Sequence, residues 1–485
     1  MRAARSKVGT RWLGAAVACF VAGAGLRAAP PVPVHVTGPA DNRVNVFFLG
    51  DGYTASQIET TYAQHVQAML HHLFNNGQDP YPRYKNFFNA YRVNVVSAES
   101  GADVPPDGIF RDTALDARYY FDGSTERLMY VSDSKADAAL NASLAGTGLS
   151  ADVRYLTVND TKYGGGGGRY SVYAGGNVSA TEIALHESAH SFNRLADEYG
   201  GFTTTYAGGE PSEVNVTKSA TGAKWSHWIG YDQPGVGVIG AYEGGRYYDK
   251  GLYRPSQNSK MRSLGRPFDA VSREKIVLDI YRLIRPMDAY LSNAATVDNP
   301  RSFWVDVVDP SVVNVQWSVD GTTVPGATGE RFNPLDFGFT PGTYNVTARA
   351  YDPTDWVRIN RHLLEQSVTW SLTLFADGDA NGDGLLTADD YALLDRGLAM
   401  GLSGWSNGDF DASGVVDVPD YLIIDRALAL SHGGTLDPAL LADRTARFGT
   451  TYATDLLASI PEPASLTWLL VPAVVLSRRR VASLS

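Results

Sequence analysis

Ser179-Ala-Thr-Glu182-Ile-Ala-Leu-His186-Glu187-Ser-Ala-His190-Ser-Phe-Asn193-Arg-Leu-Ala-Asp197-Glu198-Tyr199 decides how this chain is read. It contains His-Glu-x-x-His. Residues four apart on a helix share one face, a turn above each other. Two imidazoles so placed can hold one tetrahedral zinc, with Glu187 beside them to work on a water. Ser179 and Glu182 have the spacing of a capping box. Leu185, Ala189, Phe192 and Ala196 make an apolar stripe next to the histidines. A straight helix would carry Asp197 roughly 10 Å along the axis from His190, too far to share an ion bonded at about 2 Å. If Asp197 is the third ligand, the helix ends near Asn193, a residue that tolerates the left-handed turn.

Four blocks in order resemble the IgA-peptidase family of zinc metallopeptidases, itself similar to the metzincins. They are Leu49-Gly-Asp-Gly-Tyr-Thr54, Tyr163-Gly-Gly-Gly-Gly167, the histidine stretch, and Tyr253-Arg-Pro255 with Lys260-Met261-Arg262-Ser263. The likeness spans about residues 40–290. It implies an α/β metzincin-like domain, with zinc held by His186, His190 and Asp197 and a zinc-bound water activated by Glu187. Metzincins place the third ligand where this chain has Ala196, so Glu198 stays open as an alternative. Glu210 or Glu213 would suit a thermolysin-like arrangement. Met261 is the implied Met-turn, packing beneath the metal. Tyr253, Tyr247 and Tyr248 are candidates for a phenol that stabilises the oxyanion, and Tyr253 is the residue chosen. His227, between two tryptophans, is a weaker candidate for the cleft.

Around these blocks, Val44–Leu49, Tyr91–Val96, Arg127–Val131 and Val153–Val158 read as strands, alternating with helices in a mixed, mostly parallel sheet. Thr54 and Gln57 start a helix whose apolar face is Ile58, Tyr62, Val66 and Leu70. His65, His71 and His72 on it read as solvated or half-buried. The glycines of 164–168 suit close backbone approach, either as a free edge that pairs with an extended substrate or as a plain connector. A closing helix begins at Ser272 and stops before Pro286.

The formal charge is −11, and without the basic ends the chain holds 33 basic against 52 acidic residues. That excludes nucleic acid as a partner and favours cations. Arg2, Arg5, Lys7 and Arg11 precede the apolar run Trp12–Gly25, with Ala28-Ala29 for cleavage: a signal peptide over residues 1–29. The sole cysteine, Cys19, falls inside it, so neither disulfides nor thiol chemistry are expected in the mature chain. The catalytic domain is expected at 40–292.

Residues 296–375 alternate apolar and polar between turn pairs, as in a small Ig-like β-sandwich. A repeat about thirty residues long follows. Asp379, Asn381, Asp383, Leu385 (through its carbonyl), Thr387 and Asp390 are matched by Asp409, Asp411, Ser413, Val415, Asp417 and Asp420, with Gly384 and Gly414 at the sixth position. This is a calcium-loop pattern with Asp in place of the twelfth-position Glu. With the Leu-Leu-Asp-Arg and Ile-Ile-Asp-Arg helices it resembles a dockerin module (377–432), which implies Ca²⁺ and raises a cohesin-like partner. Neutral Ser413 predicts a weaker second site. Residues 433–460 read as a linker or helical spacer. Pro461-Glu-Pro463, an apolar run and Arg478-Arg-Arg480 look like a PEP-CTERM sorting tail (461–485). That tail implies processing by an exosortase and only transient membrane contact, at the surface or extracellular matrix of a bacterium with an outer membrane.

The function expected is an exported zinc endopeptidase acting on polypeptides. The alternatives are a non-catalytic surface scaffold on a metallopeptidase fold, and a metal-dependent hydrolase of glycans or esters.

Overall fold

A computed structural model of the chain describes residues 29–76, 78–299 and 302–461. The signal-peptide and sorting-tail readings therefore lie outside the described residues. No helix among those described is long and apolar enough to cross a membrane. The chain divides into two units. One runs to Arg285 and includes Pro353–Leu364; the other holds Pro286–Asp352 and the residues from Glu365 onward.

The first unit is built on a six-stranded sheet. Its strands are β1 (Val32–His35), β2 (Val44–Asp51), β3 (Phe88–Val93), β4 (Val153–Val158), β5 (Gly165–Gly166) and β6 (Ser171–Ala174), in spatial order β1-β3-β2-β4-β6-β5. The β3-β2, β2-β4 and β4-β6 pairs are parallel, while both outer strands run antiparallel. All eight residues of β2 are buried, as a central strand covered on both faces requires. One face packs Phe47, Leu49, Leu156 and Val158 against α2 (Asp133–Leu144) and the loops of residues 102–131. The helix α3 (Ala180–Ser191), which carries the two histidines, lies against β4 and β6 beside α1 (Ala63–Asn75).

Residues 127–131, expected as a strand, form only single bridges, Leu128 to Gly165 and Tyr130 to Arg118. The block around Asp51 is a loop organiser. Its buried carboxylate accepts from Leu115 N and Ala117 N (3.0 and 2.9 Å) and from the Ser97 hydroxyl (3.0 Å). Gly52 sits at φ +69°, where a Cβ would fall 2.1 Å from the Gly101 oxygen.

After α3 come β7 (Phe202–Thr205), the two-residue strands β8 (Asp232–Gln233) and β9 (Gly237–Val238), and a hairpin of β10 (Tyr242–Gly245) and β11 (Tyr248–Arg254). The helix α4 (Ala270–Leu283) closes the unit, capped by Asp269, whose carboxylate accepts from Ser272 N at 2.9 Å. The expected boundary at 292 moves to Arg285 because β12 (Met287–Tyr290) pairs with β14 (Phe303–Val307) of the second unit. Pro353–Leu364 instead belongs to the first unit, with Arg358 stacked 3.8 Å over Trp228 and its amide bound to Glu274 at 2.6 Å.

The second unit has two sheets. One is β12-β14-β17 (β17, Arg331–Phe332). The other is β13-β19-β18-β15-β16, built from β13 (Val297–Asp298), β15 (Asn314–Val319), β16 (Thr322–Thr328), β18 (Gly342–Tyr351) and β19 (Glu365–Leu374). Phe303, Trp317, Phe332 and Trp370 pack together where these sheets meet.

The repeat then supplies α5 (Ala388–Met400) and α6 (Val418–Ser431), each opened by a capping box, Thr387 with Asp390 and Asp417 with Asp420. The two halves interlock reciprocally. Tyr391 donates to Asp425 (2.6 Å), and Tyr421 donates to Asp395. Residues 433–460 are not a spacer. They form α7 (Pro438–Phe448) and α8 (Thr450–Ser459), whose Phe448, Tyr452 and Leu456 complete the repeat's core. From them, Arg444 (2.8 Å) and Tyr452 (2.6 Å) reach the fully buried Asp425.

Removing one partner of a buried ion pair strands the other charge at a cost of about 3–5 kcal/mol. Arg444→Met is therefore expected to lower the stability of this unit by about 3 kcal/mol in calorimetry of the full chain. A change below about 1 kcal/mol would mean that α7 does not clamp the repeat.

Candidate metal centre and cleft

The helix α3 ends at Ser191, and the reversal that follows is what makes a site. Phe192 is still right-handed, and the left-handed residue is Arg194 (φ +54°), not Asn193. Asn193 is buried in a different role, donating to Asp279 (3.0 Å) and lying near the Tyr81 hydroxyl (3.4 Å). The turn folds Leu195 N onto Ala189 O (3.0 Å) and brings the Leu195 carbonyl to His190 Nδ1 at 2.6 Å. Asn215 then grips Ala196 at both its amide and its carbonyl (2.9 Å each), and Glu198 N binds Met261 O (2.8 Å). Asp197 is held between these two clamps.

The result is convergence. Asp197 Oδ1 lies 3.1 Å from His186 Nε2 and 3.2 Å from His190 Nε2, and the two Nε2 atoms are 3.1 Å apart. Donors bonded at about 2.0–2.1 Å to a tetrahedral zinc stand roughly 3.3 Å from one another, so the set fits that ion. His186 Nδ1 faces the Lys260 carbonyl (3.1 Å) as His190 Nδ1 faces that of Leu195. A ring N–H is thereby fixed on each Nδ1, leaving both Nε2 lone pairs to face the centre. Asp197's other oxygen accepts from the Tyr247 hydroxyl at 2.5 Å.

Tyr247 reaches that position from a strained hairpin tip. Arg246 (φ +48°) and Tyr247 (φ +69°) are both left-handed, a conformation costing about 1–2 kcal/mol per residue. Their amides bind the carbonyls of Asp197 (2.8 Å) and Tyr199 (3.0 Å), which ties the tip to the segment bearing the acid. Tyr253 is not in the cleft. It is a β11 residue whose amide and carbonyl pair with Thr217 (2.7 and 3.0 Å), so the tip delivers Tyr247 in its place.

The remaining sequence expectations sort by the same geometry. Glu198 points into the core, accepting from Asn215 Nδ2 (2.9 Å) and the Ser259 hydroxyl (2.5 Å). Burial first, and the like charge of Asp269 second, hold its carboxyl well above the usual carboxylate range. Glu210 pairs with Lys224 and Glu213 with Arg246, and neither lines the cleft. His227 is bound to Glu274 (2.6 Å), also away from it. Met261 is fully buried in the turn after Lys260, the residue whose carbonyl meets His186.

Glu182 makes no capping box, since the Ser179 side chain caps nothing. It lies instead between His72 (3.0 Å) and the fully buried ammonium of Lys260 (2.5 Å). Although burial opposes its charge, these donors lower the Glu182 carboxyl to about 2. Sequence reasoning missed Lys260, whose only signal was its place beside Met261.

The cleft over the triad encloses about 600 Å³ and is lined by Glu187, Tyr199, Tyr247, residues of the glycine run and segments 127–131 and 262–264. Burial raises the Glu187 carboxyl above its ordinary value, against the pull of His186 and His190. The glycines serve close packing. A Cβ on Gly165 would fall 2.4 Å from Ile183, and one on Gly167 2.8 Å from Glu187 Oε2. The expected free edge is closed at Gly165, whose amide and carbonyl already pair with Arg127 O (3.0 Å) and Met129 N (3.1 Å).

In the repeat, the second loop gathers Asp409, Asp411 and Asp420 within 4.8 Å, with one oxygen each of Asp409 and Asp417 buried and unpartnered. Ser413 turns its hydroxyl onto Val415 O (3.1 Å). The first loop's carboxylates are not gathered so; Asp379 is occupied by the amides of Gly382, Asp383 and Gly384.

Residues 32–236 match the model of a family described as IgA Peptidase M64, a likeness that supports a peptidase. No curated protein gives a significant match.

Two outcomes follow from the triad. Burial disfavours the charged form of His190, but the hydrogen bond and charge of Asp197 and the charge of Glu187 outweigh it and push the imidazole up to about 9. A cation must displace that proton, so apparent zinc affinity should rise about tenfold per pH unit between about pH 6 and 8 in chelator competition. A flat profile would contradict the coupling. Tyr247→Phe should weaken zinc binding about 10-fold or more at constant pH, and unchanged affinity would remove Tyr247 from the support of Asp197.

Proposed function

We propose that this chain is an exported zinc-dependent endopeptidase that hydrolyses peptide bonds. The observation that carries the reading is the meeting of His186, His190 and Asp197 with Glu187 beside them in an open cleft. The likeness of residues 32–236 to a peptidase family supports it independently. His186, His190 and Asp197 would hold the ion, and zinc, when bound, supplies a Lewis acid that acidifies water and polarises a carbonyl. Glu187 takes the proton of the attacking water and returns it to the leaving amine, a role suited to a carboxyl raised by burial. Tyr247, with its hydroxyl on Asp197, orients that acid.

The distal modules are read as an Ig-like sandwich and a dockerin-like calcium unit. Calcium in the second loop is supported by its gathered carboxylates and the unpartnered oxygens of Asp409 and Asp417. A cohesin-like partner, export, exosortase processing and a place at the bacterial surface rest on the sequence motifs.

With zinc supplied, the full chain is expected to cleave casein, and Glu187→Gln to lower kcat by about 100-fold or more while still binding zinc. Equal turnover by the two proteins would overturn the reading.

A further inference from the structure

Arginines as well as acids line the cleft. The chain as a whole is acidic, with a formal charge of −11, yet three arginines line the space over the triad: Arg127, Arg169 and Arg262. Arg169 is spoken for, its Nε bound to Asp137 at 2.8 Å. The other two are exposed, and among the described residues neither has a carboxylate at ion-pair distance. Glu126, next to Arg127, is drawn away to Lys162 at 2.6 Å. The Arg262 guanidinium donates to a backbone carbonyl, that of Gln257. Arg169 is held by Asp137, and a divalent ion bound by the triad would match the charges of Glu187 and Asp197, which leaves the guanidinium groups of Arg127 and Arg262 without a carboxylate partner among the described residues.

Their backbones are fixed to the site. The Arg127 carbonyl accepts from Gly165 N at 3.0 Å, and the Arg262 amide donates to Ser259 O at 3.1 Å, one residue before the carbonyl that meets His186. The charge of Arg127 is felt at both Glu187 and Tyr199. Two exposed guanidinium groups on fixed backbones beside the triad suit carboxylates, which a guanidinium can bind with two parallel hydrogen bonds.

We propose that the cleft selects polypeptide segments bearing aspartate or glutamate side chains, and that Arg127 and Arg262 are the specificity-determining residues that pair with them. This rests on the peptidase reading for the class of ligand, and deepens it.

Binding and cleavage test it separately. Fluorescein-labelled decapeptides that differ only in a central Glu, Ala or Lys triplet are titrated into zinc-supplemented full-chain Glu187→Gln and followed by anisotropy. The Glu peptide should bind about tenfold more tightly than the Ala peptide, and the advantage should shrink with salt. Arg127→Glu and Arg262→Glu should each remove most of that advantage, and the double reversal should favour the Lys peptide. Equal Kd for the three peptides, no measurable binding of any, or an unchanged preference in both variants would overturn the proposal. Cleavage by the chain with Glu187 intact reads the other question. Preferential binding of the Glu peptide without turnover keeps this inference and removes the peptidase, while turnover with equal Kd and kcat/KM does the reverse.

Discussion

Everything in the first unit depends on one chain reversal. His186 and His190 project from successive turns of α3, and an acid seven residues beyond His190 must return to meet them. Left-handed Arg194 makes the return, and the Leu195 carbonyl locks it by gripping His190 Nδ1. The same contact aims the ring, so the bond that closes the turn also directs the nitrogen lone pair. Asn215 and Met261 then fix the residues on either side of Asp197. A helix continuing straight would leave two histidines and no centre.

Around this reversal the molecule spends strain and buried charge. Arg246 and Tyr247 adopt a conformation that side chains disfavour, and their amides are returned to the segment carrying Asp197. Lys260 is buried entirely, with Glu182 to neutralise it, while its carbonyl holds His186. The glycine run lets strand and helix approach more closely than any Cβ would allow. Each feature is a local cost, and each touches a residue of the triad or its immediate support.

The sequence made the helix, its two histidines and Glu187 legible because those depend on spacing along one element, whereas Asp197, past the reversal, came with the family resemblance and left Glu198 open. The buried run of β2 and the alternating strands of the second unit were legible for the same reason, through periodicity. What escaped depends on distant chain. Glu182 fits a capping box by spacing, but Lys260 and His72 arrive from elsewhere and claim it. Tyr253 and Tyr247 are indistinguishable by composition, and only the hairpin register puts one at the tip. Arg127–Val131 has the residues of a strand, yet its neighbours offer it only single bridges. Residues 433–460 read as a linker or helical spacer, although Phe448 of α7 and Tyr452 and Leu456 of α8 pack into the core of the repeat.

Zinc K-edge absorption of the full chain loaded with one equivalent of the ion examines the centre most directly. The account predicts a light-atom shell at about 2.0–2.1 Å with the outer-shell scattering of two imidazoles, and loss of one oxygen neighbour in Asp197→Ala. A shell with fewer than two imidazoles, or one unchanged by that substitution, would contradict it.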